Sequence, residues 1–339
     1  MPWYGKRSEC VSLVGALLLR VCLVSLPTLE FPTMPLHPTI HGLWPALLTP
    51  VDAFGTLDST RLLAHAQRML AAGSDGITLF GTTGEGPAFT VAERQAELEK
   101  LLAAGIRTDQ ILVTITATAL GDAIALGRHA LQLGVTRQML MPPFYYNQPR
   151  DTGVVAAFSQ VIRGIDSDAL RLLLYHFPTM STYGFSHAAI TELVRRHPQQ
   201  VVGIKDSSGD LQQALALAKT FQNFAVLVGA EPHVAPVMLA GGSGSVNGLA
   251  NIAPRLMRRV IDTPGAVDPR DVQCMTSLLA LMSVRPNLPF LGVYKTMLAE
   301  QTGDEFWLTM RAPLCRLDED EEQAIRQGYR ALGDLLHSL

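Results

Sequence analysis

From Gly42 onward the chain alternates short apolar, β-branched runs with longer stretches whose apolar residues recur at helical spacing. The strand candidates are Leu43–Leu48, Gly76–Phe80, Ile111–Thr116, Gln138–Met141, Leu170–His176, a run beginning at Val201, Ala225–Val228 and Ser243–Asn247. Between them, helical patterns cover Thr60–Ala72, Val91–Ala104, Asp122–Leu133, Gly153–Arg163, Ser186–His197, Leu211–Phe221 and His233–Ala240. Glycines follow several of these helices as stop signals, and Ser186 reads as an N-cap. Helical sequence then runs from Pro254 nearly to Leu339, broken near Pro264-Gly265, Pro286–Pro289 and Gly303. This strand–helix alternation predicts an α/β fold, a (β/α)8 TIM barrel with a C-terminal helical extension. An open doubly wound sheet gives the same alternation, but the first strand-to-helix turn lacks G-x-G-x-x-G and no Walker-type glycine loop is present.

No linker divides the body, so residues 34–339 are expected to form one domain, barrel plus C-terminal helices. Residues 1–33 are unlike it. Lys6 and Arg7 precede an apolar run, Val11–Leu19, which Arg20 interrupts before Val21–Leu26. The outline is that of a signal peptide, but Arg20 cuts the apolar region, no small-x-small cleavage site follows, and neither half is long enough to span a bilayer. The reading adopted is that translation starts at Met34. With 48% hydrophobic and 17% charged residues, the chain suits a well-packed protein. A net charge of −3 without a basic run gives no sign of a nucleic-acid or polybasic membrane partner. Cys10, Cys22, Cys274 and Cys315 form neither a CxxC pair nor a metal-ligand spacing, which favours a reducing, cytoplasmic compartment.

The chemistry centres on Val201–Asp210, VVGIKDSSGD, where one lysine, Lys205, ends an apolar strand. Desolvating an ammonium is unfavourable, and burial of a lysine promotes the neutral amine that attacks a carbonyl. A strand-end lysine that snorkels to solvent or pairs with Asp206 is the ordinary alternative. Other groups fall where strands end. Gly81-Thr82-Thr83-Gly84-Glu85 follows the second strand, and its small residues can present N–H groups and hydroxyls to a carboxylate. Tyr145 and Tyr146 sit in a proline-framed loop after the fourth, and Tyr175 ends the fifth. Each taken alone is an ordinary turn or packing residue.

Together these marks resemble the family of pyruvate-dependent class I aldolases that includes dihydrodipicolinate synthase and N-acetylneuraminate lyase. The marks are GTTGE at Gly81–Glu85, YYN at Tyr145–Asn147, Tyr175 followed by Pro178, GIKDSSGD at Gly203–Asp210 and GGSGSVNGLAN at Gly241–Asn251. The resemblance implies that Lys205 forms a Schiff base with a 2-keto acid and that Tyr175 carries the proton. It implies that Thr82 and Thr83 hold the keto-acid carboxylate and support the relay. Tyr146 would complete the relay from the adjacent subunit of a homotetramer built as a dimer of dimers. Val246 takes the place of an apolar residue near the reacting centre. The covalent imine serves as electron sink, so no external cofactor and no metal is implied.

Two departures narrow the substrate. Dihydrodipicolinate synthases usually carry an arginine five residues after the strand-5 tyrosine, where this chain has Met180. Sialate lyases usually place two acids after strand 7, where Ala230-Glu231-Pro232 leaves one. The expectation is a lyase or dehydratase for a 2-keto-3-deoxy sugar acid or a 4-hydroxy-2-keto acid, with Glu231 and Ser207 reading hydroxyls. Condensation of pyruvate with aspartate semialdehyde, and non-catalytic keto-acid binding on the same barrel, are the alternatives.

Overall fold

Strands that are apolar on both faces need cover on both faces, which a closed parallel sheet ringed by helices supplies. The computed structural model describes residues 40–221, 223–283 and 290–338. The expectations for residues 1–33, with Cys10 and Cys22, and the break at Pro286–Pro289 lie outside the described residues. The strands are β1 (Gly42–Leu43), β2 (Ile77–Leu79), β3 (Ile111–Thr114), β4 (Arg137–Leu140), β5 (Arg171–His176), β6 (Val201–Asp206), β7 (Ala225–Val228) and β8 (Gly244–Ser245). All pair in parallel in the order β1-β8-β7-β6-β5-β4-β3-β2.

The segment after β1 closes the sheet. Gly42, Trp44 and Ala46 donate their N–H groups toward Ser243, Ser245 and Asn247 on the β8 side. On the opposite side Leu47 N–H donates to Thr78 O at 3.0 Å, and Thr78 N–H donates to Pro45 O at 2.8 Å. Proline at 45 has no N–H to give the β2 side, so the ladder is interrupted there and β1 is shorter than the predicted Leu43–Leu48. The barrel of the predicted fold is thus present, closed by bridges rather than by a long strand.

The helices that ring it are α1 (Ser59–Ala71), α2 (Val91–Ala103), α3 (Leu120–Gln132) and α4 (Asp151–Ile165), then a single turn α5 (Pro178–Ser181). They continue with α6 (His187–Arg196), α7 (Leu211–Thr220), α8 (Val234–Leu239) and α9 (Pro254–Asp262). The extension is α10 (Pro269–Ala280), α11 (Phe290–Thr302) and α12 (Glu319–Arg330). Side-chain caps set several starts. Ser186 Oγ accepts from Ala189 N–H at 3.0 Å as expected, and Thr90 and Glu93 form a capping box on α2.

Period-2 alternation sorts the strand residues between two cores. Leu172, Leu174, Val226 and Val228 face the helices, whereas Leu173, Tyr175, Ala225 and Leu227 join Trp44, Met139 and Val246 in the lumen. β6 departs from strict alternation. Val201 and Ile204, three positions apart, both pack with the helix-facing core, while Val202 lies in the lumen set. Pairing with β5 jumps from Leu172↔Val201 to Leu173↔Gly203, a one-residue bulge that reverses the facing of everything after it. Without the bulge Lys205 would share the outward side with Val201; with it, Lys205 turns inward and stands in register with Tyr175. Only glycine fits at 203, because a Cβ there would lie 2.4 Å from Ala225 O and 2.6 Å from Leu173 Cδ2.

Candidate active site

Lys205 is 4% exposed, and its Nζ stands 4.3 Å from the centroid of the Tyr175 ring. Among the described residues no carboxylate lies within ion-pair distance of that nitrogen. Gly229, on the neighbouring strand's exit, leaves room for the lysine stem: a Cβ at 229 would meet Lys205 Cε at 3.3 Å and Ser207 Oγ at 2.0 Å. Ser207 therefore stands beside the lysine stem, fixed by its N–H to His176 O at 2.8 Å. Val246 is fully buried in the lumen, with its N–H on Val228 O at 3.0 Å.

The Tyr175 hydroxyl is 3.0 Å from Thr82 Oγ1, so a hydrogen bond joins phenol and threonine with either oxygen able to donate. Thr82 makes this contact, and Thr83 is buried directly after it. Of the two threonines expected to support a relay, Thr82 is the one in hydrogen-bond contact with the Tyr175 hydroxyl. A cavity of about 150 Å³ opens against these groups, lined among others by Thr82, Thr114, Thr116, Tyr175, Met141 and Met180. Met180, on α5, is 40% exposed and stands at the wall where a cation was expected in a synthase.

Glu231 and Tyr146, the two other expected site residues, have different surroundings. Glu231 is buried, and its Oε1 accepts from Leu249 N–H at 3.0 Å and from the Tyr294 hydroxyl at 3.1 Å. Burial raises its pKa, while these hydrogen bonds and the nearby charge of Lys205 pull the other way. Through Oε1 the carboxylate fastens the segment after β8 to α11. Tyr146 is 78% exposed and rests edge-on against Tyr145, 5.2 Å between ring centroids. Within one chain it does not reach Tyr175.

Sequence reasoning passed over the groups that hold the strand ends. His176 follows Tyr175 outward; its Nδ1 accepts Phe185 N–H at 3.0 Å, and burial lowers its pKa against the opposing charge of Asp206. A histidine ending a strand beside a candidate catalytic tyrosine was the available signal. Arg94 on α2 donates to the carbonyls of Thr114, which ends β3, and Thr116 just after it, and burial brings its pKa down to about 10. Asn251 accepts from Leu48 N–H and His65 Nε2 and donates to Ala46 O and Gly248 O, locking the segment after β1 to the turn after β8. The arrangement offers a buried amine with no ion-pair partner among the described residues, a phenol beside it, and a threonine hydroxyl on that phenol at the wall of a small cavity, the kinds of group that covalent chemistry on a carbonyl uses.

A model of the dihydrodipicolinate synthetase family matches residues 39–331. An uncharacterized DapA-like lyase of Chloroflexus aurantiacus is 31% identical over 298 residues, covering 86% of this chain and 97% of that protein. The crystal structure of dihydrodipicolinate synthase from Agrobacterium tumefaciens is 33% identical with a TM-score of 0.79, covering 87% of this chain and 100% of that one. YagE, a prophage protein of the same family from E. coli K12 solved in complex with pyruvate, shares the fold at 22% identity, with a TM-score of 0.77 over 86% of this chain and 98% of that one.

Proposed function

The chain belongs to the dihydrodipicolinate synthetase family of lyases, and from that membership we propose that it is a class I aldolase acting through a Schiff base on Lys205. The observation that carries the reading is the buried amine facing the Tyr175 ring, whose hydroxyl bonds Thr82. Lys205 Nζ attacks C2 of a 2-keto acid, water leaves, and the protonated imine withdraws electrons from the C3–C4 bond. As that bond breaks, the C4 hydroxyl gives its proton to the Tyr175 oxygen while the phenol passes its own proton to Thr82 Oγ1 and on along the relay, from which the enamine later recovers one, and an aldehyde departs. The enamine is reprotonated at C3, and hydrolysis releases pyruvate and the lysine. Thr83 and the backbone of its turn hold the substrate carboxylate, and Val246 walls the reacting carbon. The complex of YagE with pyruvate supports pyruvate as the common fragment.

For the substrate tail we propose a 2-keto-3-deoxy sugar acid or a 4-hydroxy-2-keto acid, because Met180 offers no charge to a second carboxylate. Synthesis from pyruvate and aspartate semialdehyde is the second reading, favoured by the 33% identity to the Agrobacterium synthase. Tyr146 acts from a neighbouring copy, with the exposed Tyr145–Tyr146 pair at the contact and a homotetramer as the working assembly. Among the described residues no helix is long and apolar enough to cross a membrane. Free Cys274 and Cys315 fit the proposed cytoplasmic setting.

Borohydride reduction in the presence of pyruvate tests the reading. A pyruvyl adduct is expected on Lys205 and none in Lys205→Ala. Tyr175→Phe should still be trapped while its kcat falls by about 10²–10⁴-fold, the usual weight of a general acid–base group. Trapping that persists in Lys205→Ala, or native turnover in Tyr175→Phe, refutes it.

A further inference from the structure

The turn that carries Thr82 and Thr83 is held in an unfavourable backbone shape. Phe80, with φ 56°, and Glu85, with φ 55°, both occupy the left-handed region that side chains rarely adopt, one at each end of the turn. Such conformations persist only where the surroundings over-determine them, and they gather at functional sites. Gly86 closes the turn so tightly that a Cβ would lie 1.8 Å from Phe80 O. Thr49 Oγ1 donates to Gly84 O at 2.7 Å from the barrel side.

The remaining restraint comes from the far end of the chain. Glu85 Oε1 stands 2.5 Å from Lys295 Nζ on α11, with side chains 0% and 1% exposed. Glu85 Oε2 accepts Arg311 N–H at 2.7 Å, and Lys295 Nζ donates to Thr309 O at 2.7 Å. Arg311 also pairs with Glu93 at the start of α2, 2.6 Å away. One carboxylate, reaching back across some two hundred residues of sequence, thus ties the threonine turn to α11 and to the segment after it. A buried ion pair is a weak source of net stability, since well-packed apolar side chains of similar volume often serve as well or better. What such a pair supplies is a fixed distance and direction, because a misplaced partner leaves a charge buried alone.

We propose that Glu85 and Lys295 are positioning residues for the reaction: the pair sets where Thr82 stands relative to Tyr175, so the C-terminal extension is part of the catalytic apparatus. The inference rests on the Schiff-base reading of the site. Neither side chain reaches the cavity; both act through the turn.

The test is the charge-balanced variant Glu85→Gln/Lys295→Met, with each single variant beside it. Melting and circular dichroism establish which variants are folded, and borohydride trapping of pyruvate at Lys205 reports the amine independently of the relay. In folded variants trapping is expected to remain complete. kcat should fall at least 10-fold, KM for the keto acid should rise, and the kcat–pH profile should shift because the Thr82–Tyr175 contact is altered. If none of the three folds, Glu85→Asp, which keeps both charges and shortens the reach by one methylene, is judged on the same terms. Turnover and pH profile equal to the parent's in a folded variant overturn the proposal and leave the pair a purely stabilising role. Absence of trapping in the parent enzyme instead overturns the Schiff-base reading, so the two failures are distinct.

Discussion

Replacing Met180 by arginine should move the substrate preference toward aspartate semialdehyde. Met180 stands on the wall of the cavity shared by Tyr175 and Thr82, so a guanidinium there faces whatever the keto-acid fragment is joined to. A charge-assisted bond to a carboxylate contributes about 1.5–3 kcal/mol when well formed. At 40% exposure water competes for the new cation, which favours the lower end of that range. About 1.5 kcal/mol corresponds to roughly tenfold in the specificity ratio. The assay is kcat/KM for aspartate semialdehyde condensation divided by kcat/KM for cleavage of a 2-keto-3-deoxy sugar acid, with parent and Met180→Arg prepared alike. The ratio should rise about tenfold, mostly through the numerator. A variant that still traps pyruvate at Lys205 yet leaves the ratio within twofold of the parent's would falsify the assignment of residue 180 to the substrate tail.

Two further outcomes are expected. If Tyr146 works in the neighbouring copy's site, mixing Tyr146→Phe with Lys205→Ala subunits restores sites that neither variant owns, to about a quarter of parent activity with random dimer pairing; no recovery above the separate variants places Tyr146 outside the reaction. His65 is fully buried, its pKa brought down to about 3 by burial first and by the Arg68 charge second, against a hydrogen bond to Asn251. A depressed folded-state pKa makes its contribution complete above the unfolded value near 6.5 and lost as pH falls toward 3, on the order of 2 kcal/mol by pH 5. Urea unfolding at pH 7 and pH 5 should show this loss in the parent and not in His65→Gln; equal losses in both would assign the acid sensitivity elsewhere.

The barrel was legible because parallel strands buried on both faces leave short apolar runs that helical periods separate, and few other folds produce that alternation. Its closure was not, because Pro45 and the bridges from Ala46 and Leu47 to Thr78 depend on which strands become neighbours. The inward turn of Lys205 was also beyond reading. Alternation counted from Val201 gives the wrong face, and the bulge at Val202 exists only in the pairing of β6 with β5. The motif identified the lysine where periodicity would have discarded it. The bond from the Tyr294 hydroxyl to Glu231 was equally out of reach, because a carboxylate after a strand looks the same in sequence whatever it meets, and that partner lies on α11.

The same sequence signal, a single lysine inside an apolar run, occurs at Lys205 in β6 and again at Lys295 in Phe290–Ala299. Structure separates the two by partner. Lys295 meets Glu85 at 2.5 Å and donates to Thr309 O, so its charge is matched and its nitrogen occupied. Lys205 faces a phenol ring and, among the described residues, meets no carboxylate at ion-pair distance. Burying an ammonium is unfavourable by several kcal/mol unless a counter-ion or other polar partner offsets it or the group gives up its proton. The counter-ion accounts for Lys295; Lys205 has the face of the Tyr175 ring beside it, and its unpaired amine is what the proposed Schiff base would use. Burial of a lysine is therefore no mark of a nucleophile by itself, and the discriminating fact, which a single sequence does not carry, is whether a carboxylate comes to meet it.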